Sequence, residues 1–463
     1  MGGGIEQETS VTRESRAVVL TTVAASAALG VVAGSLMGWD PLSPFVAAST
    51  PRAWDGYTVL AEVVPMLGVL VALFTSRWWP WLLLAGTVVS LPLTAYVLFP
   101  TLGSHVSVLV AAKAGPPMVL IAVLAAAQEL FRRGARTAGF VVAGLAIGSQ
   151  VFAAALTGST WFTQPAGMVF WHVALTVVGI GGVVLAIVTR GPRAADPGWT
   201  ASAQLRPRVA IAAVGAVLLP LVAVYVDPAA VSGLLKVSEG SLSRHPDVVP
   251  TIVALIVLVG AVLLGTLAGA RVFFGVAVMA LTQLGVTGPL ILALYSAAVD
   301  PVSRWIAAAI GVAAGCVAAA SRWREQLAVG GGVLSALVLF VAAMATGGTP
   351  EKLIDQQLSV VGSLLLALLA ATATVMVASA SRALAELDAL PAAFGPLTSV
   401  LVLSGSGALV ATQIDDQNYR GYLAAVHYLP TYAGLLLLAA GLIAGAAGVR
   451  FLRARPAAEP ALG

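Results

Sequence analysis

Thr75-Ser76-Arg77-Trp78-Trp79 and Ala320-Ser321-Arg322-Trp323-Arg324 are the two stretches on which the fold turns. Each is a short polar break between two long apolar runs. The first leads into Leu82 and Gly86, the second into Leu327 and Gly330. A shared Ser-Arg-Trp in the same kind of joint points to an internal repeat, and a repeat changes the fold expected of the whole chain. A second correspondence follows one unit on. Arg132-Arg133-Gly134-Ala135-Arg136 faces Arg382-Ala383-Leu384, and both lead into glycine-bearing runs, through Gly144 and Gly148 and through Gly405 and Gly407.

The runs flanking these joints are membrane spans. The chain has 463 residues, 59% hydrophobic and 10% charged, with a mean hydropathy of +0.98. Soluble proteins carry roughly 25% charged residues, so a water-exposed globular surface is excluded. Cutting the sequence at charges, prolines and polar clusters gives spans 17–39, 57–75, 78–98, 105–130, 137–156, 167–189, 209–226, 251–270, 272–299, 305–320, 328–345, 358–380, 391–411 and 430–449. Each holds about 20 mostly apolar residues, the length needed to cross a bilayer. The prediction is an all-α polytopic membrane protein of about 14 transmembrane helices, with 13 the alternative if Arg271 does not divide its apolar run.

Basic residues set the orientation. With a cytoplasmic N-terminus, the inner turns collect Arg13, Arg16, Arg77, Arg132, Arg133, Arg136, Arg190, Arg193, Arg206, Arg208, Arg271, Arg322, Arg324, Arg382, Arg450, Arg453 and Arg455. The outer side receives Arg52, Lys236, Arg244, Arg304, Lys352 and Arg420. That bias of roughly three to one places both termini in the cytoplasm of a plasma-membrane protein. The net charge of +4 is therefore a topology signal, and no nucleic-acid partner is implied. The first apolar run is too long for a cleaved leader, whose core is typically about 7–15 residues.

Mapping spans one to six onto nine to fourteen divides the chain. A tail, 1–16, precedes an N-terminal six-helix bundle, 17–190. A cytoplasmic linker, 191–208, leads to an inserted two-helix hairpin, 209–270, a C-terminal six-helix bundle, 271–450, and a tail, 451–463. This arrangement resembles the fourteen-helix branch of the major facilitator superfamily, the branch best known for drug/proton antiporters. The family's turn between helices two and three carries Gly-x-x-x-Asp-Arg-x-Gly-Arg-Arg. Arg77 matches its first arginine, while Ser76, Trp79 and Pro80 replace an aspartate, a glycine and an arginine. Lys113 before Gly115 resembles the family's arginine–glycine element of helix four, with lysine substituted, and Arg132 to Arg136 resemble its basic turn before helix five. The Gly-Pro signature of antiporter helix five is not kept, since Ser149 and Gln150 follow Gly148.

The resemblance implies a secondary transporter, alternating between two bundles, with membrane lipid and a small lipophilic or amphipathic solute as partners and proton coupling as one mode. Ionisable groups inside a span are costly and mark function by default. Lys113 lies roughly 12 Å into span four and Glu62 about one turn into span two, close enough in depth to pair if the helices are neighbours. Gln150 and Gln283 are further transport candidates, with interhelical hydrogen bonding as the plainer account of each. Arg77 and Arg322 are expected to meet the negative ends of helix dipoles at the inner face. Gly115-Pro116-Pro117 and Gly288-Pro289 should kink their spans. Trp78, Trp79 and Trp81 read as interfacial anchors, and so does His172.

No cofactor or metal is expected. There is no phosphate-binding glycine loop for an ATPase motor. His105, His172, His245 and His427 lack ligand spacing, and Cys316, the sole cysteine, can form no intrachain disulfide. Two other functions compete. One is a glycosyltransferase using polyprenyl-phosphate sugars, with Asp40 and Asp55 in the first outer loop; the other is a non-transporting partner in envelope assembly.

Overall fold

The computed structural model describes residues 58–75, 78–99, 106–132, 135–144 with 146, 165–190 and 301–324, and separate positions from 326 to 378. Spans one, seven, eight, nine, thirteen and fourteen, with Gln150 and Gln283, lie outside the described residues. The described residues form helices only. We label them α1 (Thr58–Thr75), α2 (Trp79–Leu98), α3 (Val106–Ala112), α4 (Gly115–Arg132), α5 (Pro165–Arg190) and α6 (Pro301–Ala320). They correspond to spans two, three, four (α3 with α4), six and ten. Residues 136–144 form a further helical segment within span five.

Their ends follow from local chemistry. Pro80 stands in the first turn of α2, where a missing N–H costs nothing. At its other end Phe99 N donates to Ala95 O at 2.7 Å, closing the last turn. Inside the apolar runs, hydroxyls find their acceptor one turn back. Thr87 Oγ1 donates to Leu83 O at 2.8 Å and Ser90 Oγ to Gly86 O at 2.7 Å, so neither presents an unmet donor to hydrocarbon.

Outer faces confirm the medium. On α5, Val173, Val177, Ile180, Val184 and Val188 are exposed, at the i, i+4, i+7, i+11, i+15 spacing of one helix face. Its buried side is apolar too, through Val183 and Ala186. A helix that is apolar on both faces, one of them exposed, has the pattern expected of a membrane span. On α2 the exposed face carries Trp78, Trp81, Val88 and Leu91, whereas Trp79, Leu82, Leu83 and Leu93 are buried.

The core sits around α4. Every residue from Gly115 to Gln128 is buried, and α4 packs against both α1 and α2, while α2 also packs on α5. The approach is close because the contact residues are small. A Cβ on Gly68 would strike the Ala114 carbonyl, one on Gly86 would meet Val119, and one on Gly115 would strike Ser90 Oγ. Beyond α4 the chain turns tightly. Ala135 N donates to Leu130 O at 2.9 Å and Gly139 N to Ala135 O at 3.0 Å. Phe131 and Phe140 then meet edge to face, centroids 4.9 Å apart, with the Phe131 ring lying where a side chain on Gly139 would be.

The same crossings recur between α6 and residues 363–378. A Cβ on Gly311 would strike the Ala367 carbonyl, and one on Gly315 would lie 2.5 Å from Thr374 Cβ. Gly331 packs on Thr372, whereas Gly330 faces open space. Arg77 to Arg322 and Gly86 to Gly331 are both 245 positions apart. The register of the Ser-Arg-Trp motifs therefore equates Gly86 with Gly331, one residue beyond the glycine that sequence comparison selects.

Candidate functional site

Span four is not one helix. Pro116 cannot donate to Ala112 O, and Pro117 cannot donate to Lys113 O. Helix α3 accordingly stops at Ala112, and the next two residues form a tighter turn. Lys113 N donates to Val110 O at 3.1 Å and Ala114 N to Ala111 O at 3.2 Å. Helix α4 restarts at Gly115 with both prolines in its first turn, where their missing donors are harmless. The expected kink is thus a break, and Lys113 occupies it.

Lys113 is half-buried, beside the Ala114 carbonyl that rests on Gly68 of α1. Glu62 lies in α1, six residues before Gly68, or roughly 9 Å along the axis at 1.5 Å per residue. The two residues are on neighbouring elements, α1 packing against both halves of span four. The Glu62 side chain, and with it the expected pairing, lies outside the described residues.

At the other end of α4 is a polar group that sequence reading missed. Trp79 is 1% exposed, and its indole Nε1–H donates to Glu129 Oε2 at 2.9 Å. Of the three tryptophans expected to anchor in the interface, Trp78 and Trp81 are exposed and Trp79 is a core residue tying α2 to α4. Helical phase separates them: positions 78 and 81 share a face that 79 does not. Gln128, beside Glu129, is 4% exposed, and its Nε2 has no hydrogen-bond partner among the described residues. The adjacent Gln-Glu at the end of a purely apolar run was the available signal.

The basic turns expected at the inner face are partly described. Arg77 and Arg133 lie outside the described residues, as does the Arg132 side chain, while Arg136 is exposed. Arg322 is exposed with its Cζ 5.2 Å from the Trp323 ring centroid, a cation–π distance. Ser321 closes this turn, its Oγ donating to Ala318 O at 2.7 Å and accepting from Trp323 N at 3.2 Å. The helix end expected to meet Arg322 is thus finished by a serine hydroxyl. Among the described residues no group of His, Cys, Asp and Glu could hold a metal ion.

No family model matches the sequence, and no curated protein resembles it significantly. The fold does match solved structures, 31 chains in all. The human organic anion transporter MFSD10 (TETRAN) aligns with a TM-score of 0.52 at 15% identity, over 92% of this chain and 99% of its own. The POT family transporter PepTSo aligns with a TM-score of 0.48 at 15% identity, over 94% and 98%. The first alignment, nearly complete on both sides, shows that this chain shares the all-helical fold of the human transporter. At such identity it is the fold that is shared.

Proposed function

We propose that the protein is a secondary transporter, working by alternating access between two six-helix bundles joined by the hairpin 209–270, with both termini cytoplasmic. The observation that carries this reading is the break at Lys113. It opens a turn of backbone at the head of α4, where every residue from Gly115 to Gln128 is buried. Interrupted helices expose carbonyls and a charge only where they line a cavity or meet protein, never against lipid. Lys113 then serves as the solute- or ion-facing cation, with Glu62, Gln150 and Gln283 as further transport residues. The solute is lipophilic or amphipathic, because the buried stretch of α4 that follows Lys113, from Gly115 to Ala127, is apolar. A lysine at the break favours an amphipathic molecule with a negative group, a class that includes the organic anions named for the human structural neighbour. Efflux by proton exchange is the coupling tested first.

The experiment is dye flux in proteoliposomes under an imposed pH gradient. An amphipathic anion, carboxyfluorescein, and a lipophilic cation, ethidium, serve as probes. Lys113→Gln should slow movement of the anion about tenfold, equivalent to roughly 1.4 kcal/mol, with the folded protein still in the membrane. Lys113→Arg should retain most of it. Wild-type flux of both probes in Lys113→Gln would remove the residue from the transport path.

A further inference from the structure

Among the described residues, a close contact joins the first part of the chain to the second. Gly144, at the end of the helical segment 136–144, lies against Cys316 of α6 and Thr374. A Cβ at position 144 would strike Cys316 Sγ, and it would sit 2.9 Å from Thr374 Cγ2. The Thr374 hydroxyl is satisfied within its own helix, donating to Ala370 O at 2.8 Å. No hydrogen bond or ion pair therefore needs to break for these three residues to part. Only dispersion is lost, about 0.1–0.2 kcal/mol for each atom pair. By contrast, α2 and α4 within the first bundle are tied by the Trp79–Glu129 hydrogen bond.

Position fixes which side the contact seals. Gly144 lies eight residues after Arg136, Cys316 six before Arg322 and Thr374 eight before Arg382. At helical rise these separations in sequence amount to roughly 9–12 Å from basic turns expected at the inner face. We propose that the Gly144–Cys316–Thr374 crossing is the cytoplasmic gate of this protein, closed in the conformation described and parted when the solute path opens inward. The proposal rests on the transporter reading and on the orientation given above. Glycine at 144 lets the seam close without a side chain between the helices, and the Thr374 hydroxyl, satisfied within its own helix, adds no tie across it.

The sole native cysteine reports on the gate directly. Maleimides attack thiolate, which forms only where water reaches the sulfur. In inside-out vesicles of the wild type, a membrane-impermeant maleimide should label Cys316; in right-side-out vesicles it should not. A thiol inert from the cytoplasmic face, or labelled only from the outer face, overturns the gate whether or not any dye is carried. The second arm uses Gly144→Cys. A Cβ at 144 lies 3.9 Å from the Cys316 Cβ, against a mean of about 3.8 Å in disulfides. Copper phenanthroline, accepting two electrons as the two thiols lose their protons, should join them, seen as loss of both thiols to maleimide. Carboxyfluorescein flux should then fall to that of empty vesicles and return with dithiothreitol. Folded Gly144→Cys protein that does not crosslink, or crosslinked protein that still carries dye, also overturns the proposal. A wild type that moves neither dye while Cys316 labels only from inside refutes carriage of these amphipathic ions and supports a seam that opens to the cytoplasmic side.

Discussion

Replacing Trp79 by phenylalanine tests the tie between α2 and α4 with little change in shape. The substitution keeps an aromatic ring in a site that is 1% exposed and removes the N–H that donates to Glu129 at 2.9 Å. In soluble proteins a hydrogen bond to a charged group contributes about 1.5–3 kcal/mol. Between membrane helices the measured average is nearer 0.6 and the maximum about 1.7 kcal/mol, because separated helices find other partners. The second scale is the one expected for a part-buried carboxylate between two membrane helices. Adding the smaller ring's lost packing, Trp79→Phe should cost about 1–2 kcal/mol. The assay is equilibrium unfolding in mixed micelles, run as a double-mutant cycle with Glu129→Ala. A coupling of about 1 kcal/mol is expected, well above the roughly 0.3–0.5 kcal/mol scatter of independent sites. Trp81→Phe, on the exposed face of the same turn, is the control and should change stability by no more than about 0.5 kcal/mol. Additive costs for Trp79→Phe and Glu129→Ala would refute the tie and return Trp79 to the status of a packed ring.

Gly115→Ala should destabilise the folded protein by about 1–3 kcal/mol through overpacking, since its Cβ would come 2.5 Å from Gly86 O. Gly181→Ala meets nothing within 4 Å and should hold or slightly raise the unfolding midpoint in the same assay, as alanine is the better helix former by about 1 kcal/mol. For the repeat register, Gly331→Leu should lower the yield of monodisperse protein while Gly330→Leu leaves it unchanged. The reverse order would place the glycine correspondence one residue away.

The positions of spans two and three were legible because hydropathy integrates over many residues. The predicted 57–75 and 78–98 differ from α1 and α2 by a residue at the start. The break in span four was legible because two prolines remove donors whatever surrounds them. What could not be read was direction around a helix. Trp78, Trp79 and Trp81 have the same chemistry in a sequence, and only the placement of α4 decides which indole finds a carboxylate. Glu129 was passed over for a related reason. Three residues from Arg132, it reads as part of a solvated helix end until α2 is seen to lie against it. The single-residue slip from Gly331 to Gly330 arose because adjacent glycines are indistinguishable without a neighbour to touch.

Departures from the family pattern at the first inner turn acquire a physical meaning here. Where that pattern has a glycine, this chain has Trp79, and a tryptophan without a partner for its N–H would be costly to bury. The partner exists on α4, so the substitution fastens the two helices it might have forced apart. In the second half the corresponding position is Arg324, with no ring to bury, and Arg322 is instead spread over Trp323 at the surface. The two turns share a motif and a register but have diverged in what they hold together. One locks a helix pair inside its bundle; the other ends a helix whose next contact up the chain, at Cys316, reaches across to Gly144. Alternating access, as proposed, calls for both kinds of joint: rigid ties within each half, and apolar, glycine-spaced contacts between them.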